Sequence, residues 1–385
     1  MVTAPLSQPM LRRLARVTLL DDLSRAPDVQ APNLVAVDAT DRLLLDSAAD
    51  LPARSAPNDV VVVGDQYGAL TLGAVGLHGA QQVRVHTDRL TSERALQANA
   101  GRAGLAGTFT LHGLDADLLG GARLVLVQLP RGLAALDEIA AAVARHAAPD
   151  VTVLAGGRVK HMTTGMNDVL RRHLGEVSAG LARQKSRVLT ARGPRPGPDA
   201  YPLQERDADL DLVVCAHGAA FAGATVDLGT RFLLDHLPRM APDAADVVDL
   251  GCGTGVVASV VRRARPGVQV PATDESTAAV ASTRATAAAN GLDVPVVRDL
   301  GLEQQPDASA DLVLLNPPFH SGATVHPGVA RPLFTEAARV LRPGGELWTV
   351  YNSHLEHKAV LSRLVGRTEQ VGRNRSFTLT RSVVG

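Results

Sequence analysis

Cysteine is nearly absent from this chain: Cys215 and Cys252 are the only two in 385 residues, and neither belongs to a CxxC pair. A disulfide framework and a zinc-ribbon site are excluded on that ground. No HExxH pattern occurs among the 12 histidines, and His354 and His357, three apart, read as a solvated helix face rather than as metal ligands. Net charge is missing as well, with 39 basic residues against 39 acidic ones. There is no global electrostatic footprint for nucleic acid, so any polyanion must be held by local patches. Long apolar runs are also lacking: none approaches the roughly 18–20 residues of a membrane span. Arg12, Arg13 and Arg16 interrupt the first apolar stretch and spoil the order of a secretory signal. A cytoplasmic protein is expected.

What is present is an ordinary folded composition, 45% apolar and 20% charged, with mean hydropathy +0.06. At roughly 100–200 residues per domain, the length predicts two domains. Residues 191–204 (ARGPRPGPDAYPLQ) hold four prolines and two glycines and read as a stiff linker. Residues 1–190 and 205–385 on either side follow one grammar. Asp246–Leu250 is a short apolar strand leading into the turn Gly251-Cys-Gly-Thr-Gly255; Val60–Val63 leads into Gly64-Asp-Gln-Tyr-Gly68. A second strand ends in an acid, Asp274 in one half and Asp88 in the other, and alanine-rich helices follow with Asn290 and Asn99. Asp311–Leu315 runs into Asn316-Pro-Pro318 where Leu124–Val127 runs into Gln128-Leu-Pro130. Glu346–Val350 answers Val151–Leu154, and Ser376–Thr380 answers Ser186–Thr190, all at offsets of about 185–195 residues. Strands alternating with helices at this spacing predict parallel sheets covered by helices on both faces, and hence a tandem duplication of an α/β domain.

The glycine turn narrows the ligand. Glycines let backbone turn with positive φ and approach a ligand without Cβ obstruction. A dinucleotide fold uses a similar turn, but Asp249 stands two residues before Gly251, and a carboxylate there would repel a pyrophosphate. It suits a positively charged amino-acid head group. Asp274, 19 residues beyond Gly255, is placed to accept hydrogen bonds from ribose hydroxyls, and Asp299 to face an adenine amine. Gly251, Gly253, Gly255 and these three acids together point to S-adenosylmethionine, with Asn316 at the edge of the same site.

Asn316-Pro317-Pro318-Phe319 follows the fourth strand, at the carboxyl edge where open α/β sheets bind ligands. The prolines remove backbone donors and fix φ, so the segment presents acceptors: the Asn316 side-chain carbonyl and the Pro317 backbone carbonyl. Two acceptors converging on a planar NH2 hold both hydrogens and turn the nitrogen lone pair toward a methyl donor for direct displacement. Phe319 offers a flat face for a stacked base. The same segment serves a guanine N2 amine, an adenine N6 amine or the amide of a protein glutamine; Phe319-His320 rather than a tyrosine, together with the duplicated N-terminal copy, favours guanine.

Asp249–Gly255 combined with Asn316–His320 resembles bacterial ribosomal RNA guanine-N2 methyltransferases of the duplicated, two-domain type, which act on either subunit. The resemblance spans nearly the whole chain. The large-subunit enzymes are the nearer match through Asp38–Leu45, Gly64–Leu70, Ala155–Gly157, Asp227–Leu233 with His236–Pro238, Asn352–Leu355 and Asn374–Phe377. It implies an α/β chain of two Rossmann-like class I methyltransferase domains. Residues 1–190 are then a degenerate copy that supports the fold and grips RNA, and residues 205–385 bind S-adenosylmethionine and catalyse. Phe221-Ala222-Gly223 departs from the Phe-Ser-Arg of that family. The implied activity is methylation of guanine N2 in 23S RNA, with ribosomal RNA or a ribosomal subunit or assembly intermediate as partner, and with neither a metal nor a membrane. A 16S target, an adenine or glutamine methyltransferase, and a non-catalytic assembly factor are the alternatives. Two basic stretches are available for phosphates: residues 177–198, with five basic residues and no acid, and the tail after His357, with six against Glu369. Within the tail, Arg373 and Arg375, together with His320, are the candidate RNA contacts.

Overall fold

The computed structural model describes residues 18–31, 33–49, 56–317 and 330–385. It divides into two compact units, Met1–Asp199 and Ala200–Gly385. Of the proline-rich segment 191–204, residues 191–194 end one strand, 203–204 begin another, and those between adopt no regular structure.

In the first unit, α1 (Ala39–Ala49) precedes β1 (Val60–Val63), α2 (Ala69–His78), β2 (Val83–His86), α3 (Leu90–Ala103), β3 (Phe109–Leu111), α4 (Ala116–Leu119) and β4 (Leu124–Gln128). Then come α5 (Leu133–His146), β5 (Thr152–Arg158), α6 (Thr164–His173), β6 (Leu174–Ala179) and β7 (Ser186–Pro194). The second unit opens on the hairpin β8 (Leu203–Asp207) and β9 (Leu212–Ala216), followed by α7 (Leu228–Leu234), β10 (Val247–Leu250), α8 (Val256–Ala264), β11 (Ala272–Asp274) and α9 (Thr277–Ala289). It ends with β12 (Val296–Arg298), β13 (Ala310–Leu315), α10 (Ala330–Val340), β14 (Leu341–Asn352), α11 (Lys358–Leu364), β15 (Arg367–Arg373) and β16 (Phe377–Val383).

Each unit holds a seven-stranded sheet, ordered β3-β2-β1-β4-β5-β7-β6 in the first and β12-β11-β10-β13-β14-β16-β15 in the second. The two orders are the same, as a duplication requires. The sheets are mixed rather than wholly parallel, because the last two strands form a hairpin: β7 runs antiparallel to β5 and β6, and β16 to β14 and β15. A short turn joins such strands, whereas a parallel pair needs a long crossover.

Alternate residues of the central strands feed the two faces. Val61 and Val63 enter one core and Val60 and Val62 the other; Leu312 and Leu314 oppose Val313 and Leu315 in the same manner. Strands buried on both faces explain the continuous valine and leucine runs.

Strand register corrects two of the sequence equivalences. Val63 pairs with His86 and Leu250 with Thr273, so the counterpart of Asp274 is Thr87 rather than Asp88. Arg89 and Ser276 both stand at the N-cap position of the next helix, which sets Asn99 beside Thr286, one turn before Asn290. Even so, Asn99 bonds the backbone N–H and carbonyl of Ser24 much as Asn290 bonds those of Val213. The same device has moved by one helical turn.

Candidate functional site

β10 carries a carboxyl group inside an apolar strand. Asp249 is 3% exposed, and its Oδ2 accepts the N–H of Ala258, the third residue of α8, at 3.0 Å. The strand thus caps the helix that follows it. Burial pushes the carboxyl up to about 7, against the lowering effect of the Ala258 bond.

The turn after β10 needs its glycines for two different reasons. Gly251, Gly253 and Gly255 have φ of 75°, 56° and 75°, the left-handed region that side chains resist. At Gly255 a Cβ would also meet Thr283 Cγ2 at 2.6 Å and Thr283 Cα at 2.9 Å, so α9 packs directly on backbone. At Gly253 a Cβ would meet nothing within 4 Å, and the turn is open on that side. Cys252 lies inside the fold, where burial and then Asp274 and Asp249 raise its thiol well above the usual range. It packs as a small apolar side chain in the core of this unit.

Asp274, the last residue of β11, accepts the Gly253 N–H on Oδ2 at 3.1 Å and the Ser276 N–H on Oδ1 at 2.9 Å. Asp299 directly follows β12 and is 1% exposed. Its Oδ2 accepts the Gln304 N–H at 3.0 Å, whereas its buried Oδ1 has no partner.

Asn316 directly follows β13. Its Nδ2 donates to Asp227 Oδ2 and Thr230 Oγ1, each at 3.1 Å, and its Oδ1 is buried without a partner. Pro317, beside it, is buried. A buried oxygen left unbonded costs about 1–3 kcal/mol, which makes Asp299 Oδ1 and Asn316 Oδ1 two acceptors awaiting donors.

β12, β11, β10 and β13 are neighbours in that order, and the parallel strands all point the same way. Asp299, Asp274, the glycine turn and Asn316 therefore share one carboxyl edge. Pro318, Phe319 and His320 lie outside the described residues. Arg373 ends β15 and Arg375 lies in the turn to β16. Both are exposed, and since Asn352 at the end of β14 pairs with Phe377, they stand at this same edge.

Asp227 and Thr230 received no role from the sequence. The available signal was an N-cap: Asp227 precedes the apolar run of α7 and accepts the N–H groups of Gly229 and Thr230. Their reach to Asn316, across 89 and 86 residues, is a tertiary fact. The expectation for His357 is corrected. It is 5% exposed, not solvated, and meets Phe334 and Tyr351 edge-on, with burial lowering its pKa.

The first unit carries other side chains at the corresponding turn. Tyr67 takes the place of Thr254, is 5% exposed, and donates its hydroxyl to Asp28 Oδ2 at 2.7 Å beneath the guanidinium of Arg25. Gln66 replaces the open Gly253, and Gln128 replaces Asn316.

Two Rossmann-like methyltransferase folds in tandem, one with an open glycine turn and orphaned acceptors, define the class. Residues 211–381 match the family model described as the Methyltransferase small domain, and residues 15–195 match that of the RLMG N-terminal domain. The chain is 37% identical to the ribosomal RNA large subunit methyltransferase G of Streptomyces avermitilis, over 94% of this chain and 96% of that one. It is 36% identical to the enzyme of the same name from Pseudomonas aeruginosa, with the same coverage. It belongs to the ribosomal RNA large subunit methyltransferase G family. S-adenosylmethionine, read from the motifs, is the methyl donor that goes with this class. Among solved structures, the T. thermophilus 16S rRNA N2 G1207 methyltransferase (RsmC), in complex with AdoMet and guanosine, has the same fold. Its TM-score is 0.73 at 22% identity, over 90% of this chain and 92% of that one. Among the described residues no helix is long and apolar enough to cross a membrane.

Proposed function

We propose that the second unit methylates the exocyclic N2 amine of one guanine in 23S ribosomal RNA. The observation that carries this is the Asn316 amide: its nitrogen is bound from behind, and its buried oxygen is left as a bare acceptor. An exocyclic amine brings two hydrogens, one for Asn316 Oδ1 and one for the Pro317 carbonyl, whose own residue contributes no N–H. Holding both hydrogens in the plane of the base frees the nitrogen lone pair for attack.

The residues of the turn fit S-adenosylmethionine. Gly251 and Gly253 leave the backbone open, Asp274 offers oxygens to ribose hydroxyls, and the unpartnered Asp299 Oδ1 suits an adenine amine. Asp249 answers the positive head group, which would draw its raised pKa back down. When bound, this cofactor supplies an electrophilic methyl group on a sulfonium.

Phe319 and His320 complete the proposal as a stacking face and an RNA contact. Arg373 and Arg375 take flanking phosphates at the same edge; a base in RNA must be unstacked before its amine reaches such a site. Guanine is favoured over adenine or glutamine by the kinship with large-subunit RNA enzymes and by the guanosine held in the T. thermophilus neighbour. The test is a nucleoside digest of ribosomal RNA from a strain lacking the gene. One N2-methylguanosine should disappear from 23S RNA and return on complementation. An unchanged digest, or a loss confined to 16S RNA, contradicts the proposal.

A further inference from the structure

The Asn316 carboxamide is held from one side by the first turn of α7. Asp227 Oδ2 accepts three N–H groups: Gly229 at 2.9 Å, Thr230 at 3.1 Å and Asn316 Nδ2 at 3.1 Å. A carboxylate only accepts, so it dictates which end of the amide faces it. The nitrogen points to α7 and the oxygen is forced away, into the position where it is buried and unbonded. Thr230 Oγ1, 3.1 Å from the same nitrogen, takes the other amide hydrogen. A flip of the carboxamide would turn its oxygen onto the Asp227 carboxylate and lose the bond made there.

The first unit keeps the joint with different side chains. Asp38 caps α1 by accepting the Thr40 and Asp41 N–H groups; Asp41 stands where Thr230 does, and Gln128 Nε2 donates to Asp41 Oδ1 at 2.6 Å. There, burial and then the charge of Asp38 push the Asp41 carboxyl well up. No orphaned buried oxygen remains on Gln128. An amide tied to the first turn of a helix is thus common to both units, and in the second its oxygen is buried without a partner.

We infer that Asp227 and Thr230 are positioning residues for methyl transfer, locking Asn316 Oδ1 onto the substrate amine. The inference rests on the function proposed above. The rival account is that both merely cap α7. Capping uses Asp227 Oδ2 and the Thr230 backbone, but not the Thr230 hydroxyl. Thr230→Val therefore removes the clamp and leaves the cap.

The test is a double-mutant cycle on the purified full chain with ribosomal RNA from the deletion strain. Thr230→Val is expected to lower kcat about tenfold, the worth of one hydrogen bond. Donor Kd and RNA KM should stay within about twofold of wild type. Thr230→Ser, which keeps the hydroxyl, recovers most of the loss, and Thr230→Val adds nothing on an Asn316→Ala background. Wild-type kcat in Thr230→Val, a further loss on that background, or equal damage from Ser and Val overturns the inference. If Asn316→Ala itself matches wild type, the clamp and the assigned role of Asn316 fall together. If Asn316→Ala is impaired but Thr230→Val is not, only the clamp falls.

Discussion

Asp65 and Asp249 cap the same point of equivalent helices from two different positions. Asp249 reaches Ala258, the third residue of α8, from inside β10, and Asp65 reaches Thr71, the third residue of α2, from the turn after β1. Asp65 occupies the position of Cys252, and Val62 that of Asp249. In the first unit the cap has moved off the strand and the strand has become wholly apolar. Asp249 thus does for α8 from the strand what Asp65 does for α2 from the turn.

Asp249 sets a pH dependence. Its carboxyl sits near 7 in the folded chain against an ordinary 3.8. Between those values the native state binds more protons than the unfolded one, so stability falls as pH rises through that window and is flat above it, by up to about 4 kcal/mol. Asp249→Asn keeps a cap for Ala258 and is expected to melt higher than wild type at pH 8, with a flatter profile from pH 5 to 8. It should also bind the donor more weakly. Superimposable melting profiles contradict the assignment.

The two glycines Gly253 and Gly255 separate ligand from fold. Gly253→Ala meets open space and costs only the left-handed strain, about 1–2 kcal/mol, yet it should obstruct the donor and raise its Kd at least about tenfold. Gly255→Ala drives a methyl group into Thr283 and should lower Tm by more than Gly253→Ala does. Calorimetry and thermal melting on both variants check the order; a reversed order contradicts it.

Asp274→Ala is expected to weaken donor binding by about 10–100-fold through lost ribose contacts and a loosened Gly253 N–H. The kcat at saturating donor should change little. Unchanged affinity by calorimetry refutes the ribose assignment.

One donor site per chain is expected. The first unit carries Gln66 where Gly253 is open and Tyr67, held to Asp28, where Thr254 stands, so titration with S-adenosylmethionine should give a stoichiometry of one. A second site of similar affinity contradicts that expectation.

Much of this was legible in the sequence because it is local. Four valines running into a glycine turn, and Leu315 running into Asn-Pro-Pro, mark strands and their carboxyl ends without any long-range information. The duplication followed from these marks at fixed offsets. What depended on register or partnership was not legible. Asp88 lies one residue past the position of Asp274, and only strand pairing shows it. β15 mixes Arg367, Glu369 and Arg373 with few apolar residues, and it becomes a strand by pairing with β16. His357 carries a polar name into a core because Phe334 and Tyr351 close around it. The Asp227–Asn316 contact joins residues far apart in sequence and leaves no periodic trace.

The most direct test is transfer of labelled methyl from S-adenosylmethionine to 23S RNA of the deletion strain by wild type and Asn316→Ala, read by nucleoside digestion. Wild type should place all label in N2-methylguanosine at a single position. Asn316→Ala should bind donor normally and transfer about 10²–10³-fold more slowly. Label in N6-methyladenosine, label on protein, or full speed in Asn316→Ala would contradict the assignment.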